Sequence, residues 1–438
     1  IKIFCPHINI GEKSFSGCQS LTEIMIHSSI KSIGKNFEEC TNLKKIIIID
    51  DEKLIEDYAF QHMKTVEEII LPPSIEIIGQ NSFEGCKSLK ELNIPSSVSI
   101  IKESSFKDCF KLTQINIPYS VKQIGSRAFK ECSSLNEIVI PKSVNEIGNY
   151  SFSNCSSLKI IKIFCPHINI GEKSFSGCQS LTEIMIHSSI KSIGKNFEEC
   201  TNLKKIIIID DEKLIEDYAF QHMKTVEEII LPPSIEIIGQ NSFEGCKSLK
   251  ELNIPSSVSI IKESSFQNCC ELTQINIPDN VHEIGQNSFS ECSTLKDKTL
   301  SSNIEIIPDK LFYGCKSIVQ MIIPDSIKQI GSNSFENCSS LENIKLSSNT
   351  KTIGNSCFYQ CSSLKQMIIP DSVIEISANC FSKCSLLDDV TIPHDVLTIN
   401  DKAFYQCQKL VRIKIPDSVT KMGESIFSGC SSLEEISI

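Results

Sequence analysis

The sequence predicts a β-rich solenoid of about nineteen stacked coils, each of 22 or 23 residues. Three observations predict it. Phenylalanine recurs from Phe15 to Phe427 in steps of 23, with two steps of 22 (15 to 37 and 175 to 197). Every period repeats one apolar template, clearest from Ile140 to Leu158. Residues 161–266 are identical to residues 1–106, a shift of 160 residues or seven coils. An in-register copy of that size is tolerated where each coil touches only its neighbours, and rarely in a globule.

The template reads L-xx-I-x-I-P-x-S-V-xx-I-G-xxx-F-xx-C. In L-xx-I-x-I the last three residues alternate apolar, variable, apolar, the pattern of a short strand with one buried face. Proline cannot donate to a ladder, so it ends the strand and turns the chain. V-xx-I-G returns the chain along the other side, with Gly permitting a tight bend. F-xx-C is expected to close the coil as a helical turn, with Phe at the centre and Cys beside it. One period cannot bury its own apolar positions. Stacked periods bury them in columns, with parallel strands about 4.8 Å apart on a concave face. The chain 1–438 is expected to form a single solenoid. Ile1 matches Ile161 in mid-strand and Ile438 ends a strand with no polar cap after it, so capping sequence is expected to flank this chain.

Composition narrows the function. The chain has 438 residues, 40% hydrophobic and 22% charged, with net charge −11. Its cations are interleaved with carboxylates and form no basic run, which argues against nucleic acid as a partner. No stretch of 18 apolar residues exists, so no membrane insertion of this segment is expected. The first residues, Ile1 to Pro6, lack the charged start, long apolar core and small-residue cleavage site of a signal peptide.

The motif I-P-x-S-V-xx-I-G-xxx-F-xx-C-x-S-L-xx-I-x-I resembles the BspA-like, treponemal-type class of leucine-rich repeats. The resemblance covers the whole chain, and coils such as Ile117 to Leu135 and Ile369 to Leu387 follow it closely. It implies a non-catalytic protein-binding role with no cofactor, and adhesion to host cell or matrix proteins at the cell surface. Such proteins occur in oral bacteria and in mucosal protist parasites. Many Ile, Lys and Asn, with only Arg127 and Arg412 as arginines, suit an AT-rich genome. The chain departs from the motif at Met63 and Met223 (for Cys), at Glu52 and Glu212 (for Val) and at Lys298 (for Ile). Local irregularity is expected there.

Seventeen of the 22 cysteines occupy the F-xx-C column. Neighbouring thiols of such a column lie near disulfide range but point the same way, and a straight ladder makes no tetrahedral zinc cage. They are expected to be buried reduced thiols acting as small hydrophobes. Cys5, Cys165 and the Cys269–Cys270 pair are harder to place. So many free thiols fit a cytoplasmic scaffold for intracellular partners, whereas the family resemblance points to the cell surface. The eight histidines form no H-E-xx-H, and Gly11-Glu12-Lys13-Ser14 only grazes a phosphate-loop ending. Asp50-Asp51-Glu52 and its copy Asp210-Asp211-Glu212 read as solvated acidic loops, since a hard-cation site wants six or more arranged oxygens. Sequons at Asn149, Asn154 and Asn337 are open to glycosylation only on a secretory path, and read more simply as chance products of a Ser- and Asn-rich repeat.

Strand alternation picks the outward column, the residue between the two Ile of I-x-I. Nine of its nineteen members are apolar. Met25, Ile47 and Ile70 are consecutive in it, and the duplication repeats them as Met185, Ile207 and Ile230. These two triads are candidate contacts for a protein ligand, engaged bivalently. The alternative is that β-branched residues simply favour a parallel ladder.

Overall fold

The structure, a computed structural model, describes residues 1–5, 8–29, 33–49, 53–209, 212–296 and 300–437. It is a parallel β-solenoid of about 18 turns, the number of full intervals between the nineteen Phe markers. Two compact units divide it, Ile1–Ile209 and Asp210–Ile438.

In the first unit the I-x-I segments form the long ladder, hydrogen-bonded as two sheets, one from Glu23–Ile26 to Gln114–Asn116 and one from Glu137–Ile140 through Glu183–Ile186 to Lys205–Ile208. Each residue pairs in parallel with its equivalent one coil on, as Glu91 with Gln114 and Asn93 with Asn116. The V-xx-I-G segments form a second parallel ladder of two-residue strands, from Leu54–Ile55 to Asn169–Ile170. The second unit repeats the plan, with long-ladder strands from Glu228–Ile230 to Glu435–Ser437 and short ones from Leu214–Ile215 to Lys421–Met422.

The core is made of columns. Phe60, Phe83, Phe106, Phe129, Phe152 and Phe175 are fully buried, and successive rings stack at 5.1–5.4 Å. Offset-stacked rings at such distances contribute beyond their buried area. From Cys40 onward the column thiols donate to the carbonyl of the Phe one coil earlier, as Cys109 to Phe83 (3.3 Å) and Cys132 to Phe106 (3.2 Å). The sulfur thereby satisfies a carbonyl that the strand ladders do not use. Met63 and Met223, which lack that donor, are still buried.

The F-xx-C segment is not the helical turn expected from the sequence. Positive φ recurs two residues before and two after each Phe, as at Tyr58 (61°) and His62 (63°) around Phe60. Right- and left-handed residues alternate, so every second N–H points to the next coil, while those between, of Ala59 and Gln61, donate to Glu56 and Tyr58 within the coil. The N–H groups of Tyr58, Phe60 and His62 donate to the carbonyls of Gln80, Ser82 and Glu84 in the next coil at 2.7–2.8 Å. A helix would spend those donors within the coil, whereas this geometry makes them a third ladder. The described exceptions are two 3₁₀ turns, Gly34–Phe37 and Gly194–Phe197, in the two 22-residue coils. There one residue is missing between Gly and Phe, and the shortened segment tightens. Gly34 tolerates no side chain, since a Cβ would sit 1.7 Å from the carbonyl oxygen of Gln61.

Ser151, just before its Phe, is fully buried, and its hydroxyl lies 2.6 Å from the Gly148 carbonyl and 2.9 Å from the Gly125 carbonyl one coil back. In the shortened coil the longer Asn196 amide reaches back to the Gly171 carbonyl instead. Glu212, in the Val column, is exposed. Glu52, Lys298, Asp50, Asp51, Asp210 and Asp211 lie outside the described residues.

Candidate protein-binding face

The long ladder turns one face inward and one outward, in the phase expected from the sequence. Glu91, Leu92 and Asn93 are exposed, buried and exposed, and the same order recurs in strand after strand. The outward column is therefore real. Met25, Ile47 and Ile70 stand in register in the first unit. Met185 and Ile207 are in register in that unit too, while Ile230 belongs to the second unit's ladder.

Their exposure is uneven. Ile70 and Ile230 are 40% and 39% exposed, whereas Met25, Ile47, Met185 and Ile207 are half-buried. Neighbours in a parallel ladder sit about 4.8 Å apart, so consecutive apolar side chains cover one another. Two members the sequence reading passed over are far more open, Ile322 at 70% and Ile368 at 75%. Lys345 separates them, so neither has an apolar neighbour to lean on.

Beside the triads the ladder forms open troughs. In the first unit one of about 1030 Å³ has Ile70, Asn93, Asn116 and Val139 along its floor and Glu68, Glu91, Gln114 and Glu137 along one side. In the second unit the equivalent residues Ile230, Asn253 and Asn276, followed by Ile322, line one of about 1120 Å³. The flank is organised by ion pairs between coils. Lys45 meets Glu68 at 3.0 Å and Lys162 meets Glu137 at 2.6 Å. Hydrogen bonds from Lys90 and Lys44 hold the Glu67 carboxyl down at about 2. Stiff floors of in-register strands with apolar and amide side chains pointing outward suit a protein surface. Among the described residues lining the troughs there is no nucleophile–base pair.

The cysteines sit away from this face. Burial pushes the Cys86, Cys246 and Cys338 thiols up to about 12. A thiol held protonated at neutral pH is a poor nucleophile and a poor metal ligand. Cys165, hard to place from sequence, is buried and donates to the Pro141 carbonyl at 2.8 Å. Cys5 and Cys18 are exposed and Cys270 is half-buried. Among the described residues no three His, Cys, Asp or Glu are grouped to hold a metal ion. No helix among them is long and apolar enough to cross a membrane. Of the sequon asparagines, Asn149 is exposed, and Asn154 and Asn337 are half-buried.

Comparison with known proteins bears on this geometry. A family model described as "BspA type Leucine rich repeat region (6 copies)" matches residues 1–113, 99–225, 213–341 and 305–434. No curated protein matches the sequence. Similar solved structures include a leucine-rich repeat protein from Bacteroides ovatus, 26% identical over 90% of this chain and 86% of that one, with a TM-score of 0.46. A leucine rich cell surface protein from Faecalibacterium prausnitzii is 26% identical over 80% and 87%, with a TM-score of 0.37. The T. pallidum Leucine Rich Repeat protein is 21% identical over 52% and 82%, with a TM-score of 0.31. The family model spans nearly every coil that the Phe period marks, and the chain belongs to the BspA-type leucine-rich-repeat family.

Proposed function

We propose that the chain is a non-catalytic binding module that holds a protein ligand, a host cell or matrix protein, on the outward face of its long ladder at the cell surface. The observation that carries the reading is the duplicated trough, in which Ile70–Asn93–Asn116 and Ile230–Asn253–Asn276 offer the same apolar and amide floor twice. Family membership supports a protein as the partner, since leucine-rich repeats are in general interaction modules. Burial of the column thiols supports an oxidising exterior as a tolerable location, because a thiol held near 12 resists oxidation. The triads enter as two graded sets, with Ile70 and Ile230 the reachable members.

A second reading, an interaction scaffold inside the cell, is favoured by the 22 free cysteines themselves. Labelling intact source cells with an antibody to this chain separates the two readings. Binding is tested with the purified chain on immobilised matrix proteins and host cells, next to Ile70→Lys/Ile230→Lys. The expected result is saturable binding that the double variant loses at least tenfold. Binding that is unsaturable, or equal in the folded variant, contradicts the reading.

A further inference from the structure

The ladder changes sign along its length. In the first unit, the strands from Glu23–Ile26 to Glu137–Ile140 carry four glutamates and one lysine. In the second unit, the strands from Gln320–Ile322 to Arg412–Lys414 carry Lys345, Arg412 and Lys414 against the single carboxylate of Asp389. The chain as a whole is acidic, at −11, so this is a local reversal.

The basic stretch also holds the two most exposed aliphatic side chains among the described residues, Ile322 and Ile368. Lys345 stands between them. It is in register with Ile322, and its strand lies beside Gln366–Ile368. Lys345 makes no ion pair among the described residues, and the nearby Glu342 is engaged by Lys365 at 2.7 Å. Beneath the three outward side chains Met321, Ile344 and Met367 are buried, which fixes the strands that present them.

We propose that Ile322, Lys345 and Ile368 dock an amphipathic helix of a partner protein, with apolar side chains seven residues apart and a carboxylate midway between them. This deepens the protein-binding reading and rests on it. Spacing selects a helix. Strands about 4.8 Å apart put Ile322 and Ile368 roughly 10 Å apart with Lys345 halfway. A helix rising 1.5 Å per residue puts i and i+7 about 10.5 Å apart, with i+3 or i+4 near the midpoint. An extended segment puts same-face residues about 6.7 Å apart, so three of them overshoot the two isoleucines by roughly 4 Å. Charge selects the acid, since a free lysine framed by apolar groups favours a carboxylate as the surroundings lose water.

The test uses the full chain and three fluorescent synthetic helices. One has Leu at i and i+7 with Glu at i+3, the second has Lys at i+3, and the third has the first's composition with Leu at i and i+5. Fluorescence anisotropy is expected to rank the first at least tenfold above the other two on the native chain. Lys345→Glu should reverse the order of the first two, and Ile368→Asp should weaken the first about tenfold. Equal binding of all three, or a ranking that Lys345→Glu leaves unchanged, overturns the proposal. Sedimentation checks the occupant: a concentration-dependent dimer abolished by Lys345→Glu assigns the face to a second copy and overturns a separate helix. If the helices fail while a ligand sensitive to Ile70→Lys still binds, the trough reading stands and this one falls.

Discussion

Residues 1–18 and 161–178 have the same sequence and different surroundings. Cys165 and Cys178 are buried, Cys5 and Cys18 exposed. Ile168 is 7% exposed where Ile8 is 41%. Phe175 is fully buried, and Phe15 is only half-buried. Over the later copy lies the coil that contains Phe152, whose ring stacks on Phe175 at 5.3 Å. One coil further on the copies agree: Ile24 and Ile184 are both fully buried, and Phe37 and Phe197 are both 6% exposed. In this architecture a coil's interior is closed by the coils on either side of it, here by the preceding one, and the influence extends about one repeat. That is why a seven-coil block can be copied without redesign.

The largest expected effect comes from the thiols that coil stacking closes. Cys86 and its copy Cys246 ionise near 12 in the folded chain and near 9 once unfolded. Their folded value is raised, so the stability they carry is complete below about pH 9 and is lost as pH rises toward 12. Each costs about 1 kcal/mol per pH unit in that window, and many column thiols act together. Circular dichroism against pH should find cooperative alkaline unfolding that begins above pH 9, and a flat profile to pH 11 breaks the account. Next comes the pair of identical phenylalanines. Phe175→Ala should cost about 3–5 kcal/mol, because Phe175 is stacked on both sides. Phe15→Ala should cost at most half as much by urea unfolding. Equal costs would mean that the coil above contributes nothing.

The smallest effect lies where the copies first diverge, at Lys107 and Gln267. Glu84 is 7% exposed and meets Lys107 at 2.7 Å. Burial alone would raise its carboxyl, but hydrogen bonds from Lys107, Gln61 and Asn81 overcome that and hold it below the usual range. Its stabilisation is therefore present at neutral pH and lost as pH falls through its lowered value. Glu244 keeps the Gln221 and Asn241 partners without a lysine. Lys107→Gln should cost about 1 kcal/mol at pH 7, after allowance for the partly open site, and nothing once acid has protonated the Glu84 carboxyl. Gln267→Lys should return less than that.

The coil period, the long ladder and the outward column were all legible in the sequence, because each rests on a spacing. The Phe segment was not, since its alternation of left- and right-handed residues leaves no apolar period. A trace of it was present: Asn81, Asn241 and Asn333 before Phe, and Gly85, Asp108 and Asn154 after it, are types that tolerate positive φ. Tyr58 and Arg127 occupy the same position and hide the signal. The outward column was legible as a column, but the exposure of its members was not. Adjacency was read as exposure, yet Ile47 is half-buried because Met25 and Ile70 flank it, while isolated Ile322 and Ile368 stand free. Exposure depends on what the neighbouring coils present, which no single period contains.

The claim that stacked coils close the interior and leave the ladder face open is tested most directly by thiol footprinting of the native chain. Brief alkylation at pH 8 followed by peptide mapping should label Cys5 and Cys18 at least a hundredfold faster than Cys165 and Cys178. The flanking sequences are identical, so only the covering coil differs. Comparable labelling of Cys18 and Cys178 would contradict the account.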